Sequence, residues 1–415
     1  MIAELLLALC CAASCSWLLS QIYYASHRAL PLEERPGRAK YSVVVAVKDE
    51  EVETLNELRE CLLNLDYGDY EVLVVSDDAP ERRDEVTRAL RGLRVLFRDS
   101  PSGGKAGALN YASSFVTGTH LVFLDAEARV GRDFLLTLSR FAGYDVLALR
   151  LTVRNAQGPV GRAYSSTTDF SFRSLFAGRD SLGLFLFPNG SALVVRREVL
   201  DSLGWWRPTM AEDLDLGVRL ALKGVRVRYL DLAVSTMAPL STGELHRQIS
   251  RWGYGSGELA PLSLKLLGMG VRGIEGWAYV NQWLLYPLYP AALLIYSLLS
   301  PAFGLGQLSV LVTASIYGVT LSLYGRFVRG DPTLGVLTTF SALSGYVRGL
   351  LRVPMKWKVT KKAGTSASYP LSLFLFGEAL GLLSPLYVLL GYPLQSLVLL
   401  GLGVTLAWSS RPPWM

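Results

Sequence analysis

The sequence predicts a doubly wound, Rossmann-like α/β domain joined to an α-helical transmembrane region of about five spans. Apolar, β-branched runs alternate with helix-like segments in the first third of the chain, which is typical of a parallel sheet covered on both faces. Residues 5–24 and the block 276–325 carry no charge, and the block 363–410 carries only Glu378. Because about 20 apolar residues cross a bilayer, we expect one span from the first segment and a hairpin from each block.

This division gives six expected regions. They are an N-terminal transmembrane helix (1–26), an α/β domain (27–257), an interfacial helix (258–275), a transmembrane hairpin (276–325), an interfacial segment (326–367) and a second transmembrane hairpin (368–410). The alternative for the first region is a signal peptide, but no basic residue precedes the apolar run, which favours a retained anchor. Lys and Arg are concentrated in 326–362, so the positive-inside rule predicts that this segment and the α/β domain are cytoplasmic.

The charge and the cysteines exclude two other classes of protein. The net charge is +6, but much of the excess lies in the membrane-adjacent segment 326–362, where attraction to anionic lipid explains it without nucleic acid. Three of the four cysteines fall in the first apolar segment, and Cys61 stands alone. This spacing indicates neither a disulfide framework nor a cysteine-ligated metal site.

Within the α/β domain, acidic pairs follow two of the predicted strands. The strands are expected at 41–47, 71–75, 95–97 and 120–124. Asp77 and Asp78 follow the second strand, and Asp125 and Glu127 follow the fourth. Ligands of doubly wound sheets bind beyond the carboxyl ends of the strands, so both pairs are candidate site residues. The aromatic stretch 155–187 gives no clear assignment.

The two acidic pairs suit different tasks. Asp77 and Asp78 could accept hydrogen bonds from a base or a ribose, although acidic residues also favour the turn after a strand. Asp125 and Glu127 are separated by one residue and could hold a hard divalent cation that bridges to substrate phosphates. A simple turn is the alternative for this pair too.

A glycine-rich loop with a lysine precedes the fourth strand. Gly103, Gly104 and Gly107 surround Lys105 just before a predicted helix. The spacing is not that of a P-loop, but a helix N-terminus with a lysine suits an anion. A plain tight turn is nearly as good an interpretation.

Glu212 and Asp213 begin a predicted amphipathic helix. Thr209 and Glu212 fit a capping box, and acidic residues stabilise a helix N-terminus in any case. The functional alternative is a general base that deprotonates an acceptor hydroxyl.

Gln248, Arg251 and Trp252 are spaced to share a helical face. Tryptophan with a polar neighbour can bind a sugar ring, and arginine can bind a diphosphate. Because the first uncharged block is near, an interfacial anchor is an equally good interpretation.

Taken in order, these motifs resemble the membrane-embedded family 2 glycosyltransferases. The pattern is Asp-Asp (77–78), Gly-Lys-x-x-Ala-Leu-Asn (104–110), an Asp-x-Asp-like pair (125 and 127), Glu-Asp (212–213) and Gln-x-x-Arg-Trp (248–252). Cellulose, chitin and hyaluronan synthases belong to this family, and ceramide glucosyltransferase is similar. The segment 357–362 also resembles the gating loop of cellulose synthases.

The resemblance implies a cytoplasmic GT-A domain at 27–257 and an inverting reaction. Asp77, Asp78 and Lys105 would contact the nucleotide-sugar, together with Asp125, Arg251, Thr360 and Lys361. Asp125 and Glu127 would hold Mg²⁺ or Mn²⁺, and Gln248 and Trp252 would bind the acceptor. Asp213 would be the general base beside Glu212. Three positions depart from the family pattern: Glu127 replaces an aspartate, Ala211 replaces a threonine and Trp357 replaces a phenylalanine.

The resemblance leaves the acceptor open. A processive synthase would build a polysaccharide or oligosaccharide from a UDP-sugar and could export it. The alternative is a transferase that adds a single sugar to a membrane lipid, in keeping with the small number of spans. A non-catalytic partner of a polysaccharide exporter is the third hypothesis, and the retained carboxylates speak against it.

Overall fold

The computed structural model describes residues 1–27, 30–329, 332–355 and 368–411, without the side chains of residues 332 and 333. The strands are β1 (Tyr41–Val47), β2 (Tyr70–Ser76), β3 (Arg94–Phe97), β4 (His120–Asp125), β5 (Val146–Val153), β6 (Ala192–Arg196) and β7 (Val227–Thr236). The helices of the N-terminal half are α1 (Ile2–Ser26), α2 (Val52–Leu63), α3 (Arg83–Ala89), α4 (Gly104–Tyr111), α5 (Phe134–Ser139), α6 (Gly158–Ser171), α7 (Arg179–Ser181), α8 (Arg197–Leu203) and α9 (Glu212–Leu222).

The remaining helices form the membrane-facing part of the molecule. They are α10 (Thr242–Ser263), α11 (Gly270–Val280), α12 (Gln282–Phe303), α13 (Gln307–Val328), α14 (Pro332–Leu350), α15 (Leu371–Leu389) and α16 (Pro393–Ser410). The predicted loop segment 357–362, with Thr360 and Lys361, lies outside the described residues.

The described residues form one seven-stranded mixed sheet with the order β3-β2-β1-β4-β6-β5-β7. Strands β3, β2, β1 and β4 are parallel, whereas β6 runs antiparallel to both of its neighbours, β4 and β5. The sheet therefore departs from a uniformly parallel arrangement at one strand. Ala192, near the start of β6, pairs with Leu124 near the end of β4. The loop that precedes β6 consequently lies beside the acidic residues that follow β4.

The sheet has an apolar core on each face because alternate residues of a strand point to opposite sides. In β1, Val43 and Val45 pack in the same cluster as Leu55 of α2. Their neighbour Val44 faces the other way, where it shares a cluster with Leu109 of α4. These contacts explain why the run at 41–47 is almost entirely apolar rather than alternating with polar residues.

Among the described residues, five helices are long and apolar enough to cross a membrane: α1, α12, α13, α15 and α16. This finding confirms the predicted number of spans. Helix α1 packs against both α12 and α13. The stretch 155–187, which the sequence left unassigned, contains α6, a π-helical turn (Phe172–Gly178) that packs on α1, and α7.

Helices α10 and α14 pack so closely that glycine is needed on both. A Cβ at Gly257 would lie 2.1 Å from the carbonyl oxygen of Tyr346, and one at Gly345 would lie 2.0 Å from that of Ser250. Small residues four apart let helix backbones approach in this way. Helix α10 also continues across residue 257, where the sequence predicts a domain boundary, so the α/β domain and the membrane-facing part share a continuous helix.

Candidate active site

Most of the predicted site residues line one large cavity of about 1370 Å³; Asp78 does not line it, and Thr360 and Lys361 lie outside the described residues. Its first part, here called the donor half, lies beyond the carboxyl ends of β1 and β4 and is lined by Asp77, Lys105, Asp125, Glu127, Glu212 and Asp213. Its second part, the membrane half, continues between α1, α12, α13 and α14 and is lined by residues that include Gln21, Tyr289, Tyr317, Tyr324 and Leu402. Gln248, Arg251 and Trp252 of α10 also line the cavity.

The sheet register brings the acidic groups to one edge. Ala46 of β1 pairs with Asp125, and the next residue, Val47, pairs with Ser76 on the other side. Asp77 therefore lies just beyond β2, with its backbone N–H donating to the carbonyl oxygen of Val47 at 3.0 Å. Residues far apart in sequence meet here because the strands are parallel and in register.

Asp77 and Asp78 have different surroundings. The Asp77 carboxylate is held by Arg98, whose Nε donates to Oδ1 at 2.6 Å. Asp78 is buried and accepts hydrogen bonds from the hydroxyl of Ser76 at 2.8 Å and from Arg82 at 3.0 Å. Asp77 lines the cavity, whereas Asp78 is not among its lining residues.

Arg98 also joins Asp77 to the glycine-rich loop. Its Nη1 donates to the carbonyl oxygen of Ser102 at 2.9 Å. A Cβ on Gly107 would lie 2.9 Å from the same Nη1 and 1.9 Å from the Ser102 oxygen, so only glycine allows this approach. Gly103, at the N-cap of α4, has a φ of 73°, which glycine adopts without strain. Arg98 thus fixes the loop that presents Lys105.

Lys105 lies at the centre of the carboxylate cluster. Its Nζ is 2.6 Å from Asp125 Oδ1, 3.4 Å from Glu212 Oε1 and 3.3 Å from the carbonyl oxygen of Gly190. Burial alone would lower the pKa of Lys105, but the charges of Asp125 and Glu212 outweigh it and raise that pKa. The lysine is therefore protonated, and it joins Asp125 at the end of β4 to Glu212 at the start of α9.

Asp213 is held by backbone donors. The N–H of Gly190 donates to one carboxylate oxygen and the N–H of Leu214 to the other, each at 2.8 Å. Burial raises the pKa of Asp213, while Lys105 and these two N–H groups oppose the rise. Burial also raises the pKa of Glu212, to about 7, with Lys105 again opposing it. A raised pKa makes a carboxylate a better proton acceptor, as a general base requires.

The capping-box prediction at the start of α9 is wrong. The helix begins at Glu212 with Ala211 as its N-cap, and no side chain caps it. Thr209 Oγ1 is instead buried without a hydrogen-bond partner in the described part of the chain. Glu212 and Asp213 lie in the first turn of α9, and both also line the cavity. Stabilisation of the helix N-terminus is therefore not the only role open to them.

Asp125 and Glu127 can supply oxygen ligands to the cavity. Asp125 is half-buried, and Glu127 is buried with Oε1 3.5 Å from the hydroxyl of Thr236. The described residues contain no group of three or more candidate metal ligands. Two carboxylates are nevertheless compatible with Mg²⁺ or Mn²⁺, because such ions usually complete their shells with water and substrate phosphates.

The α10 residues form the junction between the two halves. Gln248 is buried, and the Trp252 side chain is 37% exposed. The ring centroid of Trp252 lies 5.7 Å from that of Trp283 and 6.5 Å from that of Tyr164. Since all three aromatic residues line the cavity, they provide a surface on which a sugar ring could pack.

Four residues of this site were not predicted from the sequence: Arg98, Tyr164, Gly190 and Trp283. Arg98 precedes the glycine-rich loop by a few residues, which is a weak local signal. Gly190 reaches Lys105 and Asp213 only because β6 is antiparallel, and a Cβ there would lie 3.2 Å from Lys105 Nζ. Tyr164 belongs to the stretch that had no assignment, and Trp283 falls in a block interpreted only as membrane.

Comparison with known proteins agrees with this arrangement. The family described as "Glycosyl transferase family group 2" matches residues 120–327. A beta-monoglucosyldiacylglycerol synthase of Nostoc sp. is 30% identical over 353 residues, which are 78% of this chain and 72% of that protein. The catalytic subunit of cellulose synthase 1 from Komagataeibacter xylinus is 25% identical over 407 residues, 88% of this chain but only 54% of that protein.

A solved structure is similar over most of the chain. The mannosyltransferase PcManGT from Pyrobaculum calidifontis, described in complex with GDP-Man and Mn²⁺, superposes with a TM-score of 0.62 at 18% identity. The match covers 85% of this chain and 99% of that one, and it shows that the α/β domain has the GT-A fold. The chain belongs to the family 2 glycosyltransferases.

Proposed function

We propose that this glycosyltransferase moves a hexose, with inversion, from a nucleotide-sugar to a hydroxyl group of an acceptor held at the membrane. One observation carries the proposal: Lys105, Asp125 and Asp213 meet in a cavity that continues between apolar helices. A charged donor needs the polar end of such a cavity, and a membrane-borne acceptor can reach it from the other end. A UDP-sugar is the first donor to test.

The donor half offers groups for each part of the donor. Asp77 lines the cavity and would contact the nucleotide, while Asp78, through its bonds to Ser76 and Arg82, would support that contact. Asp125 and Glu127 would hold Mg²⁺ or Mn²⁺, which neutralises charge on the departing diphosphate. The Mn²⁺ and GDP-Man of the similar mannosyltransferase support this assignment. Lys105 and Arg251, which both line the cavity, would contact the same diphosphate. The contacts of Thr360 and Lys361 with the nucleotide-sugar remain predictions from the sequence.

The chemical step follows from the position of Asp213. The acceptor oxygen attacks the anomeric carbon, the bond from that carbon to the diphosphate breaks, and the hydroxyl proton passes to the carboxylate. Gly190 and Leu214 fix both oxygens of Asp213 and so orient it for that transfer. Glu212, which shares Lys105 with Asp125, keeps the cation close to the base. One displacement of this kind inverts the anomeric centre.

The acceptor would lie on the α10 side of the cavity, against Gln248 and Trp252. The aromatic cluster of Trp252, Trp283 and Tyr164 suits a sugar and therefore a growing glycan. The apolar membrane half of the cavity suits a lipid acceptor. Under either possibility the site faces the cytoplasm if the basic residues of 326–362 obey the positive-inside rule.

The proposal is tested by nucleotide release from purified protein in lipid nanodiscs. UDP- and GDP-hexoses would be supplied in turn with Mn²⁺, Mg²⁺ or EDTA. We expect release with one donor, dependent on the metal and lost in Asp213→Asn, and a labelled hexose in a glycoside product. Release that is unchanged by EDTA would contradict the metal assignment, and release that survives in Asp213→Asn would contradict the assignment of the base.

A further inference from the structure

The membrane half of the cavity ends part of the way along the spans that line it. On α12 the last lining residue is Leu293, so residues 294–303 lie beyond it, and on α13 the first is Tyr317, so residues 307–316 lie beyond it. Each of these two stretches contains ten helical residues that do not line the cavity and is therefore about 15 Å long. On α1 the deepest lining residue is Trp17, again well inside the helix. Among the described helices, the cavity is therefore a pocket rather than a channel.

An apolar cluster fills the space beyond this end. Leu7 and Cys11 of α1 pack there with Tyr296 of α12 and Val310 of α13, and all four are buried. A sugar chain leaving through the spans would have to replace these contacts with polar ones, at the cost of burying unpaired hydroxyl groups. The packing favours an acceptor that remains in the membrane.

Three buried polar side chains face the cavity with atoms that lack hydrogen-bond partners. Gln21 is 3% exposed, Ser174 is 1% exposed and Gln248 is 5% exposed, and all three line the cavity. The Oε1 atoms of the two glutamines and the Oγ of Ser174 have no partner among the described residues. Because an unsatisfied buried polar atom costs about 1–3 kcal/mol, these atoms indicate a ligand that supplies the missing bonds.

Two of these side chains, Gln21 of α1 and Ser174 of the π-helical turn, lie on elements that pack against each other. Trp17, one turn before Gln21 on α1, shares an apolar cluster with Ala211, the residue before Glu212. Ser174 belongs to the π-helical turn that packs on α1, where a Cβ at Gly178 would lie 2.1 Å from the carbonyl oxygen of Tyr24. Tyr317, Tyr324 and Leu402 line the part of the cavity formed by the later spans. The cavity thus combines carboxylates, isolated polar atoms and an apolar end.

The cavity also has an open side toward the bilayer. Helix α13 packs mainly on α1, with smaller contacts to α6 and α16, whereas α14 packs on α10, α12 and α16. Leu321 of α13 lines the cavity and is 46% exposed. Gly325 of α13 and Gly335 of α14 also line it, and a Cβ at either would meet no atom within 4 Å. A lipid could enter between these two helices without leaving the membrane.

From the closed apolar end, the unpaired polar atoms and the open side of the cavity we infer that the acceptor is a membrane lipid with a hydroxyl-bearing headgroup, bound by Gln21 and Ser174 and entering between α13 and α14. The inference rests on the proposed transferase activity and names its acceptor. The lipid hydroxyl groups donate to Gln21 Oε1, ester or ether oxygens accept from Ser174 Oγ, and the hydrocarbon chain occupies the space beside Tyr317 and Tyr324. The hydroxyl that reacts then reaches Asp213 beside Gln248.

The entry route is tested with two glycine variants on the same helix. Gly325→Leu places a side chain in the opening, whereas Gly318→Leu is a matched control, because Gly318 also has no atom within 4 Å of its Cβ and does not line the cavity. Each protein would be assayed in phosphatidylcholine nanodiscs containing diacylglycerol, monohexosyl-diacylglycerol or polyprenyl phosphate, with soluble hexose oligosaccharides in a parallel assay. We expect labelled hexose in a hydroxyl lipid, with kcat/KM for that lipid about tenfold lower in Gly325→Leu only.

The polar contacts are tested by Gln21→Leu and Ser174→Ala. Each variant removes a polar atom that has no hydrogen-bond partner in the described part of the chain, so thermal stability without acceptor should be equal or higher. The KM for the acceptor lipid should nevertheless rise about five- to tenfold, as expected when a hydrogen bond of about 1–1.5 kcal/mol is lost. A purely structural role would lower stability and leave the KM for the lipid unchanged, which would overturn the assignment.

The assays with different acceptors also distinguish a failure of this inference from a failure of the proposed transferase activity. Transfer to soluble oligosaccharides that grow in the aqueous phase, unchanged by Gly325→Leu, would overturn the lipid inference but support the transferase. Transfer to polyprenyl phosphate alone would overturn the hydroxyl-headgroup assignment. The absence of transfer and of metal-dependent donor binding with every donor would remove the proposed function itself.

Discussion

The two halves of the cavity differ in how their polar groups are satisfied. In the donor half, Lys105 joins Asp125 to Glu212, Arg98 holds Asp77, and backbone N–H groups hold Asp213. In the membrane half, Gln21 and Ser174 are buried with atoms that have no hydrogen-bond partner among the described residues. The first region is organised before any substrate arrives, whereas the inference above has the second completed by the acceptor.

This difference has an electrostatic reason. Charges in a partly buried site must be paired, or their pKa values shift until they are neutral, so the donor half cannot hold isolated carboxylates. An unpaired amide or hydroxyl group costs less free energy to bury than an unpaired charge. Such a group can therefore be left without a partner until a ligand binds. Substitutions should consequently affect catalysis and folding in the donor half, and acceptor use in the membrane half.

The largest effect should come from the base. Asp213→Asn keeps the size of the side chain but removes the proton acceptor, so we expect kcat to fall about 10²–10⁴-fold, the usual contribution of a positioned base. Nucleotide affinity should change little. Glu212→Gln is the matched variant, since it alters the neighbouring carboxylate that also contacts Lys105. A larger loss in Glu212→Gln than in Asp213→Asn would assign the base to Glu212 instead.

The second effect concerns the stability of the donor half. Arg98→Met leaves the Asp77 carboxylate, whose side chain is 7% exposed, without its ion partner. Breaking a buried pair in this way typically costs about 3–5 kcal/mol, so we expect a clearly lower midpoint of thermal unfolding. Arg140→Met is the control, because Arg140 pairs with Glu34 at an exposed position where an ion pair contributes about 0–1 kcal/mol. Equal midpoints for the two variants would show that the Asp77 pair does not organise the loop.

The third effect should appear in acceptor use. Trp252→Ala removes the ring that lies against Trp283 and Tyr164, and we expect the KM for the acceptor to rise up to about tenfold while nucleotide affinity is kept. Trp408→Ala is the control, since Trp408 is exposed on α16 and does not line the cavity. If both substrates bind more weakly in Trp252→Ala, the residue supports the whole cavity and not the acceptor alone.

The sequence predicts the parts of this molecule that local patterns encode. Runs such as 41–47 identify buried strands, and uncharged blocks identify the five spans, because both signals depend on neighbouring residues. The direction of β6 depends on pairing with β4 and β5, which the run itself does not encode. The predicted doubly wound α/β fold is confirmed, but the sequence does not reveal that β6 runs antiparallel and so brings Gly190 to the site.

The same distinction applies to the site residues. The carboxylates are recognisable because they follow strands or begin a helix, and the resemblance assigns them roles. Arg98 and Ser174 act through partners that are distant in sequence or absent from the chain, so no spacing identifies them. Thr209 shows the opposite error: its spacing from Glu212 fits a capping box, but its hydroxyl is buried without a partner among the described residues.

The smallest effect, a displaced pH profile, tests the electrostatics of the donor half most directly. Burial is the main cause that raises the pKa of Glu212, to about 7, and burial also raises the pKa of the base, Asp213. A protonated base cannot accept the hydroxyl proton, so kcat/KM should fall on the acid side, beginning at a higher pH than an ordinary aspartate would give. Lys105 opposes both shifts, so its loss in Lys105→Met should move this acid limb to higher pH.

Lys48→Met is the control for that displacement. Lys48 lines the same cavity but is not among the charges that shift Glu212 or Asp213, so its removal should leave the acid limb in place. The measurement is kcat/KM for the donor between pH 5 and 9, which reports the groups of the free enzyme. If Lys105→Met lowers the rate equally at every pH, Lys105 acts on the donor alone. The ion pairs of Lys105 with Asp125 and Glu212 would then not set the pKa of the base, and the donor half would be organised only for donor binding.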